Sequence, residues 1–385
     1  MKTTVDYWFT IEPYVFVSVT NCRVLLYNTL DKMIIESDKS EVVDLLREML
    51  EEKSSGVVLL TNERYEQKNI NDFVHELRGK YMGDIIDVSL SKGKPVQLLP
   101  YCNFSNKLEI YKKHNFSQLK NVLENLSEIT IYLDATINKT RLISFIQSIP
   151  VNITFNISGN IKEVGNYNDI LFCFDKLPSP KNILCSYKNI IPIQPVFGNN
   201  FLYRISIDFP IDIECWNYTR RILLNQSIPV EYIFDVLSED DCVKAEQFVK
   251  EYDIGKYRII PRYTGDNIRF FEDNVFLSKD DILSTSLTIK DFFARKSINI
   301  YDFGKIYILP NGNAFANLNH SVLGNIYVNN IYEIVQKEVD EGKSWFRIRN
   351  QAPCTDCIYQ WICPPPSNYE IAIGRPNLCH VINDR

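Results

Sequence analysis

Residues 203–263 read YRISIDFPIDIECWNYTRRILLNQSIPVEYIFDVLSEDDCVKAEQFVKEYDIGKYRIIPRY, and this stretch decides the fold. Three apolar-rich runs of strand length, YRISIDFP (203–210), VEYIFDV (230–236) and YRIIPRY (257–263), are separated by helical stretches at 218–224 and 240–251. Strand and helix taking turns is the pattern of a parallel sheet with crossover helices. The rhythm extends upstream, where a helix around 119–126 leads into EITIYLD (128–134) and one around 140–148 leads into VNITFNIS (151–158). Roughly six strands follow from the pattern, too few to close an eight-stranded barrel. The expected class is α/β, with residues 96–300 forming an open partial (β/α)6 TIM-like barrel.

On the N-terminal side, a linker rich in Lys, Gly and Pro (SKGKP, 91–95) sets off a different region. The runs YVFVSVT (14–20), CRVLLYNT (22–29) and MIIES (33–37) predict an antiparallel meander. Ser40 is a plausible N-cap for a helix whose apolar positions are Val42, Val43, Leu45, Leu46, Met49 and Leu50. A strand GVVLLTN, a helix over 71–80 with Phe73, Val74 and Leu77 on one side, and the run DIIDVSL after Gly83 complete a winged-helix-like module over 1–95. On the C-terminal side, residues 301–385 begin with KIYILPNGNAFAN, where Asn311-Gly312 predicts a two-residue hairpin turn. Asn330 and Glu333 form a capping-box pattern for a helix running to about Gly342.

Composition excludes several function classes. Hydrophobic residues make up 45% of the 385 residues and charged ones 23%, which is ordinary globular usage. The formal charge is −6 and no Lys/Arg-rich run occurs, so nucleic-acid binding is not expected. MKTTVDYWFTIEP lacks an apolar export segment and no later stretch spans a bilayer, so no membrane insertion and a cytoplasmic location are expected. In a reducing compartment cysteines serve as core residues or metal ligands more often than as disulfides. Cys22, Cys102, Cys173, Cys185, Cys215 and Cys242 stand singly and read as buried core thiols.

Cys354, Cys357, Cys363 and Cys379 are different. They lie in CTDCIYQWICPPPSNYEIAIGRPNLC, with two, five and fifteen residues between successive cysteines. Four thiolates so spaced suit one tetrahedral zinc or one [4Fe-4S] cluster, and spacing alone leaves the two open. His380, beside Cys379, is readable as a ligand, as a hydrogen-bonding neighbour of one, or as a solvent-facing residue.

The C-terminal region resembles the SPASM domain of radical-SAM enzymes that modify ribosomal peptides. The matching elements are the Asn-Gly hairpin, Leu323-Gly324-Asn325-Ile326 before a helix, and the Cys-x2-Cys-x5-Cys pattern. In that family two further cysteines belong to an inner cluster, and their places here hold Ser367 and Asn317. The resemblance therefore implies that Cys354, Cys357, Cys363 and Cys379 are the complete ligand set of one outer [4Fe-4S] cluster and that the inner cluster is lost. The middle region resembles the radical-SAM barrel, yet no Cys-x3-Cys-x2-Cys triplet occurs anywhere in the chain. The nearest remnant is LLPYCNFSNKLE, which puts Cys102, Asn106 and Glu109 in the three ligand positions, a set that holds iron poorly. YLDATIN replaces the Gly-rich stretch that greets S-adenosylmethionine. The N-terminal module resembles a peptide-recognition element, which binds a leader peptide as an added strand. Together these features resemble the pseudo-radical-SAM proteins of the GG-Bacteroidales peptide-modification system.

The resemblance implies a non-catalytic accessory protein that binds a ribosomal precursor peptide, a partner radical-SAM maturase, or both, without using S-adenosylmethionine. The peptide is expected on the edge formed by Lys32, Met33, Ile34, Ile35 and Glu36, with Val42, Val43 and Leu46 of the following helix lining a groove. Two alternatives stay open: electron transfer to a partner enzyme through the one cluster, and altered chemistry in the emptied barrel. Asp134, Asp208, Asp235 and Arg262, at the C-terminal ends of strands, are the candidates for the latter.

Overall fold

The computed structural model describes residues 5–97, 119–149, 153–191, 201–225 and 229–381. Its first strand, β1 (Tyr7–Ile11), is one the sequence reading passes over. Phe9 and Ile11 are buried while Trp8 and Thr10 are half-exposed, the period-two alternation of a strand with one covered face. β2 (Val15–Val19), β3 (Val24–Asn28) and β4 (Ile34–Ser37) then form the expected antiparallel meander in that order. The helix Ser40–Leu50 buries Val42, Val43, Leu45, Leu46 and Met49. Its N-cap is Lys39, without a side-chain bond, because Ser40 is already helical and turns its hydroxyl to Glu41. β5 (Val57–Leu60) and β6 (Gly83–Asp87) pair antiparallel with the two sides of β1, and the helix Lys68–Gly79 packs beside β6.

Among the described residues the second part is a nine-stranded sheet. β7 (Glu128–Leu133), β8 (Thr154–Gly159), β9 (Lys181–Ser186), β10 (Phe201–Asp208), β11 (Val230–Val236) and β12 (Tyr257–Pro261) lie side by side in chain order and run parallel. Helices Lys139–Ser148, Asn168–Asp175, Ile213–Leu224 and Glu239–Glu251 supply crossovers. Neighbour-to-neighbour order with the outer edge of β12 unpaired among the described residues is the topology of an open partial barrel. β13 (Lys305–Ile308) adds parallel to β7, and β14 (Asn313–Phe315) and β15 (Gly324–Asn325) continue antiparallel.

The β13–β14 turn differs from the expected two-residue hairpin. Leu309 and Asn313 pair across Pro310, Asn311 and Gly312, and only Gly312 of the three has a positive φ, at 85°. This is a three-residue turn with a left-handed glycine at its end, which a leading proline favours because it fixes φ near −65°. The helix Ile331–Glu341 begins with the expected Asn330–Glu333 capping box and ends at left-handed Gly342.

Among the described residues two large cores organise the molecule, beside a small cluster of Phe271, Phe276 and Leu378. One lies between the parallel sheet and its helices, through residues such as Ile131, Ile157, Ile205, Trp216 and Phe234. The other belongs to the N-terminal module, but it also takes in Ile282, Leu287 and Phe292 and the segment from Cys357 to Cys363. Phe292 stacks on Phe16 with ring centroids 3.9 Å apart, and the Tyr27 hydroxyl donates to the Thr285 carbonyl. The N-terminal module is thus completed by residues from more than 250 positions away. No helix among the described residues is long and apolar enough to cross a membrane.

Candidate metal centre

Tight turns fold the cysteine block. The amide of Cys357 donates to the carbonyl of Cys354, that of Gln360 to Cys357, and those of Ile362 and Cys363 to Tyr359. Cys379 arrives from the other side, where Leu277 and Cys379 form a parallel bridge held by the Leu277 and His380 amides. The four thiols line one cavity of about 10 Å³ together with Leu277, Ile282, Arg349, Gln360 and Asn377. That volume is room for about one water-sized sphere. Among the described residues no three His, Cys, Asp or Glu side chains are drawn into metal-holding geometry as they stand.

The donor chemistry fits a soft, thiolate-bound centre. Cys354, Cys357 and Cys363 are buried and Cys379 half-buried. Burial pushes the Cys363 thiol up to about 12, against which Arg349 pulls it down. Cys354 is raised by burial too, again opposed by Arg349. Arg349 Nη1 points at Cys354 Sγ at 3.8 Å, and Asn377 Nδ2 donates to Cys379 Sγ at 3.1 Å. The Arg349 contact favours the deprotonated Cys354 sulfur that a metal needs. Arg349 itself is buried, paired with Glu370 at 2.8 Å, and bonded through Nε to the Pro364 carbonyl. On the far side Arg295, also buried, donates to the carbonyl of Ile362, next to Cys363. His380 is exposed and its Nε2 lies 2.9 Å from the Glu272 carbonyl oxygen, away from the thiols.

Of the two places where the resemblance puts inner-cluster cysteines, that of Asn317 is closed by hydrogen bonds, whereas Ser367 is half-buried and lines a cavity of about 560 Å³. Asn317 is 1% exposed and donates to Asp302 at 2.9 Å and to Asn368 at 2.6 Å. Arg347 completes this cluster, reaching Asp302 at 3.5 Å and the carbonyls of Pro366 and Ser367. Burial raises the Asp302 pKa, with Asn317 and Arg347 opposing it.

Of the single cysteines, Cys173 and Cys185 are buried as expected and Cys215 and Cys242 half-buried. Cys22 is exposed, a correction, because it sits in the turn between β2 and β3, where no core reaches it. Cys102, Asn106 and Glu109 lie outside the described residues.

The inner face of the parallel sheet is polar. Thr130, Asn156 and Asn182 on adjacent strands form a buried ladder, with Asn156 donating to Thr130 at 3.1 Å and Asn182 to Asn156 at 2.7 Å. Glu231 holds Arg204 at 2.9 Å and Arg258 at 3.2 Å. Asp208 and Asp235 are register partners at the ends of β10 and β11; burial raises Asp235, Arg262 opposes that, and Asp208 adds to it. Asp134 stands apart, accepting from the Thr136 amide and hydroxyl in a local turn. Three of the four strand-end candidates are thus drawn together, and Asp134 is not.

Among the described residues β4 is an edge strand, paired with β3 alone. Lys32 and Met33 lie exposed in the preceding turn, Lys32 with φ of 68°, so they precede the strand. The Ile34 carbonyl accepts from Lys80 Nζ at 2.8 Å. Ile35 faces the core, and Glu36 holds Arg23, Lys279 and, at 2.8 Å, the hydroxyl of Tyr359. Val42, Val43 and Leu46 are at most 2% exposed. They fill the core of the module and line no open groove, since the helix packs its apolar side directly against the sheets.

Sequence reasoning missed Arg295, Arg349 and Asn377. Two signals were present: Arg349 alternates with Arg347 just ahead of Cys354, and Arg295 sits three residues after Phe292, on the apolar side of a helix.

No family model matches the chain. No curated protein matches it. Among solved structures it is similar to native anSMEcpe with bound AdoMet, at 12% identity and a TM-score of 0.43, covering 61% of this chain and 88% of that one. Native anSMEcpe with bound AdoMet and Cp18Cys peptide gives 12% identity, a TM-score of 0.44 and the same coverage.

Proposed function

We propose that this chain is a non-catalytic binding protein of ribosomal peptide maturation, holding a precursor peptide, a partner maturase, or both. In this reading Cys354, Cys357, Cys363 and Cys379 bind one metal centre, a [4Fe-4S] cluster by resemblance or Zn2+ in its place. The observation that carries the reading is the shared core: the cysteine block is built into the N-terminal module, and Tyr359, between Cys357 and Cys363, donates to Glu36 on the edge strand β4. A centre placed there fixes the strand to which an extended peptide would add. Such a metal contributes folding free energy and orders the module; the chain's own residues do the recognition.

The absence of a Cys-x3-Cys-x2-Cys triplet supports the non-catalytic part of the reading. Incubation of the anaerobically purified protein with S-adenosylmethionine and strong reductant is expected to give 5′-deoxyadenosine at background level only. Turnover above background would overturn it. Peptide binding is tested on the full chain with the leader of a precursor encoded beside its gene. Ile34→Pro removes one backbone donor from β4 and is expected to weaken binding about fivefold, the effect of losing roughly 1 kcal/mol. Unchanged binding would move the peptide off this edge. A second surface with the right chemistry is the polar inner face of the sheet, where Asp208, Asp235 and Arg262 converge.

A further inference from the structure

Three arginines are mostly buried around the C-terminal region, and two of them have a carboxylate. Arg349 pairs with Glu370 and Arg347 with Asp302. Arg295, 8% exposed, has none: among the described residues no carboxylate lies within ion-pair distance of it. Its one hydrogen bond runs from Nη1 to the carbonyl of Ile362. A guanidinium removed from water without a counter-ion is strongly unfavourable, and buried charges are accordingly paired or set against a metal centre. The groups that favour its charge are the Cys363 sulfur first and, more weakly, Tyr301 and Asp291 one turn back on its own helix, which makes no ion pair with it. The Cys363 thiol follows directly on the carbonyl that Arg295 holds, and it is the neighbour that most favours the charged form of this arginine against burial.

Four thiolates around a dication, or around a cubane of charge 2+, carry a net charge of −2. Arg349 also acts on these sulfurs, but it shares its charge with Glu370 at 2.8 Å, so the pair together adds no net positive charge. We infer that Arg295 is the counter-charge of the four-thiolate centre, positioned by the helix Ile289–Arg295, whose Phe292 is anchored on Phe16 of the N-terminal module. This rests on the proposed metal centre and adds a consequence that a purely structural arginine lacks. The bare protein bears the cost of a buried, unpaired cation, and the loaded protein gains from it. Removing the charge must therefore move the two forms in opposite directions.

The test uses the full chain, purified anaerobically with the metal it carries. Metal content of the unaltered protein is measured first; if it holds none, the metal centre fails, whatever Arg295 does. With metal present, Arg295→Met is expected to speed metal loss to an excess of EDTA by about 10- to 100-fold, the usual size of an effect from a residue beside the ligands. After complete metal removal the same variant is expected to melt at the same temperature as the stripped unaltered protein or above it. Arg295→Lys, which keeps the charge, is expected to lose metal at close to the unaltered rate. Arg295→Gln keeps a donor for the Ile362 carbonyl without the charge and carries the comparison if Arg295→Met does not fold. Unchanged metal loss in Arg295→Gln would overturn the inference. So would an equal drop in melting temperature for the loaded and stripped forms, which would make Arg295 a brace for the backbone.

Discussion

Cys363→Ser is expected to release the metal and to melt the N-terminal module along with the C-terminal block. Structural four-ligand sites contribute on the order of 10 kcal/mol, comparable with the whole stability of a domain, about 5–15 kcal/mol. The loss is expected to reach residues far from the substitution, because Cys357, Ile358, Tyr359, Ile362 and Cys363 share a core with Leu26, Val43 and Leu46. Amide hydrogen exchange should show protection lost across β2, β3, β4 and the helix Ser40–Leu50 while the parallel sheet keeps its protection. Cys173→Ser, in the other core, is the control: it should leave metal content unchanged and cost only about 1–3 kcal/mol for an added buried hydroxyl. If Cys363→Ser leaves exchange in the module unchanged, the shared core does not couple the two regions.

The second large effect is expected from Phe292→Ala. Phe292 is 1% exposed, stacks on Phe16, and meets the Tyr27 ring edge-on at 5.6 Å. Truncating a buried phenylalanine costs about 3–5 kcal/mol, through lost transfer free energy and the cavity left behind. Urea unfolding of the full chain should show this loss, and the metal should also become easier to remove, since the same helix carries Arg295. A loss below about 1 kcal/mol would mean that the helix is peripheral to the module. By the same logic residues 1–95 alone lack Ile282, Leu287, Phe292 and Ile362, and binding tests belong on the full chain.

The parallel sheet was legible because β7, β8, β10, β11 and β12 each coincide with an apolar run followed or preceded by a helical pattern. β9 is harder to see, since Lys181 and Asn182 open it and make it look like a loop; both are buried, Lys181 donating to the Leu177 carbonyl and Asn182 to Asn156. β1 lies in a short stretch with no preceding element to frame it, and its partners β5 and β6 are about fifty and seventy-five residues away. The hairpin shows the limit of dipeptide rules: Asn311-Gly312 marked the turn correctly, while the preceding Pro310 made it a residue longer. The four cysteines stood out by spacing. Their surroundings did not, because whether an arginine is buried, paired or aimed at a sulfur depends on which distant segment packs over it. Arg295 comes to the cysteine block from 67 positions away, and only the fold reveals that it arrives without a carboxylate.

The central claim is that four cysteines hold one metal centre that locks the C-terminal block into the N-terminal module. Anaerobic metal and sulfide analysis of the full-length protein, alongside Cys354→Ser, Cys357→Ser, Cys363→Ser and Cys379→Ser, tests it most directly. The account predicts one centre per chain, as four iron with four sulfide or as a single zinc, lost in each of the four variants; zinc would also end the electron-transfer alternative, because Zn2+ has no redox chemistry. Sub-stoichiometric metal in the unaltered protein, or metal retained when these cysteines are replaced, would contradict it.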